Sequence, residues 1–281
     1  MILSIFACWT GEARRWGSAF AALAAVLAMT PVAAAPFEVA ISPSRFEISG
    51  KSAARVGQSL EIYNVGASTT EVSVRTIDWT YSPEGDITYH DELLPGSCRP
   101  WVTLERKTQR INARSKVAFR FQIDVPANAP RGECRFMLAV EGVEPAYKAL
   151  LEGGSASFNL PVSGRIAVAV YMAVNGAESK LELTQVAVST INGKRTPVVI
   201  VTNNGDAHGR LEGSLESVDA KGLEFELTPE TTPILPGQTR TLSLSPQGEP
   251  GQKPPEMVLP VRSKGSLDWE KGSFKVNAEF K

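Results

Sequence analysis

The chain has 281 residues, with 29 basic and 30 acidic side chains and a formal charge near −1. That balance excludes a nucleic-acid partner, which needs a basic surface to displace counterions. With 43% hydrophobic residues, the length suits one large β-sandwich or two small ones.

In chain order, Arg14 and Arg15 precede an apolar run from Trp16 to Met29, followed by the small-residue stretch Pro31-Val-Ala-Ala-Ala35. This fits a secretory signal peptide over residues 1–34, cleaved after Ala34. Losing Arg14, Arg15 and Glu12 with it moves the formal charge to about −2. No second apolar run is long enough to span a bilayer, so the mature chain is expected to be exported to the periplasm and soluble, with no membrane span. Cys8 leaves with the signal. Cys98 and Cys134 remain, and in an oxidising compartment they are expected to form a disulfide closing a loop of about 37 residues, worth about 3 to 4 kcal/mol in the loop-entropy account. The two histidines, His90 and His208, form no ligand spacing with those cysteines, so neither a metal nor any other cofactor is expected.

After the signal, helix patterns give way to short alternating runs: 44–49, 58–64, 71–81, 86–90, 101–106, 116–125 and 134–141. Asn64-Val-Gly66, Ser82-Pro-Glu-Gly85, Leu94-Pro-Gly96 and Pro126-Ala-Asn-Ala-Pro-Arg-Gly132 separate them, each rich in residues that favour turns. A longer connection over 141–157 leads into Val162-Ser-Gly-Arg-Ile-Ala-Val-Ala-Val-Tyr-Met-Ala-Val174. Alternation puts Val162, Ile166, Val168, Val170, Met172 and Val174 on one face of a strand, and Ser163, Arg165, Ala167, Ala169 and Tyr171 on the other. The expectation is a strand that closes the first domain and offers its apolar row to another protein.

Asn175-Gly176 ends that strand and marks the expected boundary, with domains over 35–176 and 177–281. The second series begins at Leu181, with strands expected over 197–202, 223–227, 239–244 and 257–261, and a final alternating run at Phe274–Lys281. Asn192-Gly193, Asn203-Asn-Gly205 and Leu235-Pro-Gly237 punctuate it. The expected fold is all-β: two tandem immunoglobulin-like β-sandwiches behind a cleaved signal peptide.

The residues carry a resemblance. Ile41-Ser-Pro-Ser-Arg-Phe-Glu-Ile48, Asp78-Trp-Thr80, Val201-Thr-Asn-Asn-Gly-Asp-Ala-His-Gly-Arg-Leu211 and Ile234-Leu-Pro-Gly-Gln-Thr-Arg240 follow one another as in the periplasmic pilus-assembly chaperones, the PapD-like family, which most of the mature chain resembles. It departs at Cys98-Arg-Pro-Trp-Val102, where the family carries a phenylalanine and double proline, and in the cysteine pair itself, so it resembles a divergent branch. The resemblance implies a chaperone that holds a pilin-like subunit by donor-strand complementation and works with an outer-membrane usher. It implies that Val162, Ile166, Val168, Val170 and Met172 enter the subunit's groove, and that Arg45 and Arg165 anchor the subunit's terminal carboxylate.

An enzyme is not expected, because the chain has no nucleophile elbow, phosphate-cradling loop or histidine pair at metal spacing. His90-Asp-Glu92 reads as a solvated strand edge, and His208 as a turn residue. The alternative is a cell-envelope binding module, with Trp79 and Trp101 as a sugar-stacking surface.

Overall fold

The computed structural model describes residues 37–281 except 83–84, 144–147, 150–157, 160–163 and 249–250. The expected signal peptide and Val162 therefore lie outside the described residues. The elements of the first half are β1 (Val39–Ser42), β2 (Arg45–Gly50), β3 (Arg55–Asn64), β4 (Thr70–Tyr81), β5 (Ile87–His90), a 3-10 turn at Arg99–Trp101, β6 (Val102–Leu104), β7 (Thr108–Ile111), β8 (Lys116–Asp124), β9 (Gly132–Gly142), β10 (Lys148–Ala149), β11 (Phe158–Asn159) and β12 (Arg165–Val174). The second half holds β13 (Leu181–Ile191), β14 (Lys194–Asn203), β15 (Glu212–Val218), β16 (Glu224–Pro229), β17 (Thr239–Pro246), β18 (Val261–Trp269) and β19 (Gly272–Phe280).

In the first half, a four-stranded sheet ordered β1-β3-β8-β6 faces a sheet ordered β2-β12-β9-β4-β5, with β7 also on β4. The chain passes from one sheet to the other at Pro43-Ser44, where a residue without an N–H cannot continue the ladder of β1. Alternation supplies the core: Leu60 and Ile62 of β3 and Phe119, Phe121 and Ile123 of β8 meet Phe136, Leu138 and Val140 of β9. Cys98 and Cys134 are bonded within this core, their Cα atoms 5.3 Å apart.

The second half is one continuous sheet, β13-β14-β17-β16-β15-β18-β19, folded on itself so that its first and last strands come together around a core of Val199, Val201, Leu215, Leu227, Leu242 and Leu267. Asn192 and Gly193 both take positive φ, as the two-residue turn between β13 and β14 demands. Residues 257–260 are not strand. The ladder of β18 begins only at Val261, after Pro260. Each half also ends a central strand with a buried asparagine. Asn64 donates to the carbonyls of Ser68, Ile111 and Asn112 and accepts from the Gly66 N–H. Asn203 does the same with Ala207, Ile234 and Gly205. A single buried amide thereby satisfies the backbone groups of a turn and of the loop facing it.

The strand β12 occupies the interior of its sheet. It pairs antiparallel with β9 along its whole length and parallel with β2 from Ala169 to Val174. Its apolar row faces the opposing sheet, and Val168, Val170 and Met172 are 1%, 0% and 0% exposed. The expectation that these three side chains are offered to another protein is corrected here: they fill this chain's own core, which they cannot leave without opening it.

Candidate functional site

The other face of β12 points away from that core, and the second sandwich covers part of it. Tyr171 is buried there beside Ile77, Trp79, Met137 and Ala139, with Leu235 of the second sandwich packed into the cluster. Trp79 meets the Tyr171 ring edge-on at 5.6 Å. Leu235 is held in position by its own turn: the Gln238 N–H donates to the Leu235 carbonyl, and Gly237, at φ 74°, donates to Asn203. Burying such a leucine contributes about 1.5 to 3 kcal/mol. Beside it Arg240, 1% exposed, donates to Thr232 Oγ1 and to the Pro233 carbonyl, pairs with Glu230 and lies over the Tyr81 ring of β4.

At the β2 side of this joint lies a cleft of about 620 Å3, lined among others by Arg45, Glu47, Glu133, Tyr171, His208 and Arg210. His208 stacks on Tyr171 at 3.9 Å between ring centroids. Its Nδ1 is 2.6 Å from Glu133 Oε2, and its backbone N–H donates to the same oxygen at 3.0 Å. Three basic side chains converge on one carboxylate oxygen, Glu47 Oε1: Arg45 Nε at 2.7 Å, Arg210 Nε at 3.5 Å and His208 Nε2 at 3.6 Å. The His208 imidazole facing it, joined by the Arg45 hydrogen bond and working against partial burial, lowers the Glu47 pKa to about 2. Burial raises the Tyr171 hydroxyl well above its ordinary range, so it stays a neutral donor or acceptor.

No family model matches the chain, and no curated protein matches it. Among solved structures, the chain is similar to the YadV chaperone, at 14% identity and a TM-score of 0.47 over 86% of this chain and 99% of that one. It is similar to a chain of the Salmonella enterica SafA pilin complex with the SafB chaperone, at 13% identity and 0.47 over 88% and 99%, and to the Pseudomonas aeruginosa CupB2 chaperone, at 10% identity and 0.46 over 86% and 100%. These are likenesses of fold.

The two arginines singled out by sequence lie on the same face of the sheet but do not meet. Arg45 stands opposite Ala169 in the β2–β12 register, and Arg165 lies four positions earlier on β12, about 13 Å along the strand. Arg165 is instead paired with Glu141, which also holds Arg75, and Arg75 in turn holds Asp91. In the chain itself, the cation that shares a carboxylate with Arg45 is Arg210, from the second sandwich, and not Arg165. Sequence reasoning missed Arg210 because its partner lies 163 positions away. The one available signal was its place four residues beyond the Asn-Gly-Asp turn. Trp79, buried in the joint, offers no surface for stacking a sugar, and Trp101 packs against the first core. His90 pairs with Glu92 and Thr80 at the exposed edge of β5.

Proposed function

We propose that the chain is a non-enzymatic periplasmic chaperone that holds an exported, pilin-like subunit by lending it a strand, with an outer-membrane usher receiving the subunit. The observation that carries this reading is the open edge of β12. Arg165–Val168 pair with β9 on one side, and among the described residues no strand pairs with them on the other. A subunit with an incomplete sheet exposes unpaired backbone groups and apolar surface, and an added strand satisfies both.

The parity of Ile166, which is partly buried at the end of the core, continues upstream in the sequence through Val162 and Leu160. These side chains, rather than Val168, Val170 and Met172, enter the client. Three of them at about 1.5 to 3 kcal/mol each give a gross apolar gain of about 5 to 9 kcal/mol before ordering costs. Arg45 stands at Ala169, the first position where β2 takes the open edge. A client strand laid along Arg165–Val168 parallel to β12 therefore ends beside Arg45 and Arg210, whose guanidinium groups receive its terminal carboxylate in place of Glu47.

The test is recovery of bound proteins from periplasm by the tagged mature chain and by a Leu160→Asp, Val162→Asp double variant. The expected result is a small exported protein held by the parent and at least tenfold depleted with the variant at unchanged melting temperature. Equal recovery by both would refute strand lending.

A further inference from the structure

His208 does more than fill a turn. It is supplied by the second sandwich, yet its ring is enclosed by the first: Tyr171 of β12 lies against its face, Glu133 of β9 takes Nδ1, and Glu47 of β2 faces Nε2. The ring's side chain is 10% exposed, and that of Glu133 is 1% exposed. Two carboxylates from separate strands of one sandwich thus converge on one imidazole of the other. We propose that His208 is a proton-operated latch between the two sandwiches, closing the joint while its ring is charged and loosening it when the ring loses its proton.

The ring's protonation sets how many carboxylates it can serve. A charged imidazole has two N–H donors and can serve Glu133 and Glu47 together. A neutral one keeps a single donor, so one carboxylate loses the donor that faces it. The neutral ring keeps Nδ1–H on Glu133 and withdraws the donor that faces Glu47, and with it the positive charge beside Glu133. Glu133 is buried, its Oε1 has no hydrogen-bond partner among the described residues, and His208 is its ion-pair partner. Glu212, Glu270 and Lys271 also line the cleft, and several of the other charges around the ring are already paired. Arg210, on the same segment, lies 3.5 Å from Glu47, donates to the Thr231 carbonyl and reaches the Tyr171 hydroxyl. Arg45 pairs with Glu47, and Asp206, two residues before His208, pairs with Arg131. Glu178 also lines the cleft, 4.0 Å from Arg131.

The direction of titration agrees with this geometry. Burial alone would pull the His208 pKa down, but the hydrogen bond to Glu133 and the Glu47 carboxylate facing Nε2 at 3.6 Å more than offset it, leaving it above its ordinary 6.5. A raised folded-state value means the latch's contribution is complete below about pH 6.5 and is lost as pH rises through the folded-state value. This inference goes beyond client holding and does not depend on it.

The test follows the purified mature chain by NMR. The sequence has two histidines, so a His90→Gln variant assigns the His208 ring signal. The expected result is a His208 midpoint above 6.5, one common tumbling time for both halves below it, and two distinct times above it. A His208→Gln variant should tumble as two bodies at every pH. A ring that titrates at or below 6.5, or halves that tumble together on both sides of the midpoint, would overturn the proposal. If His208→Gln does not fold, the parent's titration and tumbling decide it alone.

Discussion

Tyr171 of the first sandwich lies nearly flat against His208 of the second, the two rings 3.9 Å apart and 29° from coplanar. The same strand, β12, therefore serves two purposes through its two faces. Its inner row of valines and Met172 completes one core, and its outer row carries the joint.

The joint depends on Leu235. Leu235→Ala should destabilise the packed arrangement by about 2 to 3 kcal/mol, the usual range for a buried leucine. Calorimetry should show the single melting transition separating into two, as the halves lose their shared cluster. A single unshifted transition would mean that Leu235 contributes nothing to the joint.

The two ends of the apolar row should respond differently to the same substitution. Val168→Asp buries a charge in a filled core and should cost at least about 3 kcal/mol, visible as a large fall in melting temperature. Val162→Asp should leave the melting temperature within about 2 °C of the parent, a change under about 0.5 kcal/mol.

That contrast also marks what sequence could reveal. Alternation named the strand and sorted its faces correctly, because a period of two decides which side each residue takes. It could not say which face is free, because burial depends on a partner sheet supplied by β3 and β8, some fifty to a hundred positions earlier. Most strands were legible for the same reason, whereas β1, β7, β15 and β18 were not: Val39–Ser42 is short, and Thr108-Gln-Arg-Ile111, Glu212-Gly-Ser-Leu-Glu-Ser-Val218 and Val261-Arg-Ser-Lys-Gly-Ser-Leu-Asp-Trp269 carry too few apolar residues to show a period. Asn64-Val-Gly66 and Asn203-Asn-Gly205 read as turns, and their buried side chains proved to be structural staples. The cleft was half legible. Arg45 was singled out through the family resemblance, but Arg210, His208 and Glu133 come together only through the packing of the two sandwiches.

The cations should separate by function. Arg45→Ala and Arg210→Ala should each lower client recovery about tenfold, equivalent to about 1.4 kcal/mol. Arg165→Ala, which removes only an exposed pair with Glu141, should change recovery less than twofold. Quantitative mass spectrometry of co-purified protein measures this, and a larger effect from Arg165→Ala than from Arg210→Ala would reverse the assignment.

Acid should weaken the cleft in a defined window. The folded-state pKa of Glu47 lies near 2 against an ordinary 4.5. Its stabilising contribution is thus present above pH 4.5 and is lost as pH falls toward 2. Because the side chain is nearly half exposed, the effect should stay below about 1 kcal/mol. Urea titrations of parent and Glu47→Gln should differ at pH 6 and converge near pH 2; a gap that widens toward pH 2 would contradict the ion-pair assignment.

The most direct measurement is amide hydrogen exchange across Arg165–Val168 in the free chain and in its complex purified from periplasm. Strand lending predicts that the exchange of these amides slows in the complex, with further protection upstream through residues 160–162. Unchanged exchange along this edge, with new protection confined to other surfaces, would show that the bound protein is held elsewhere and that β12 lends no strand.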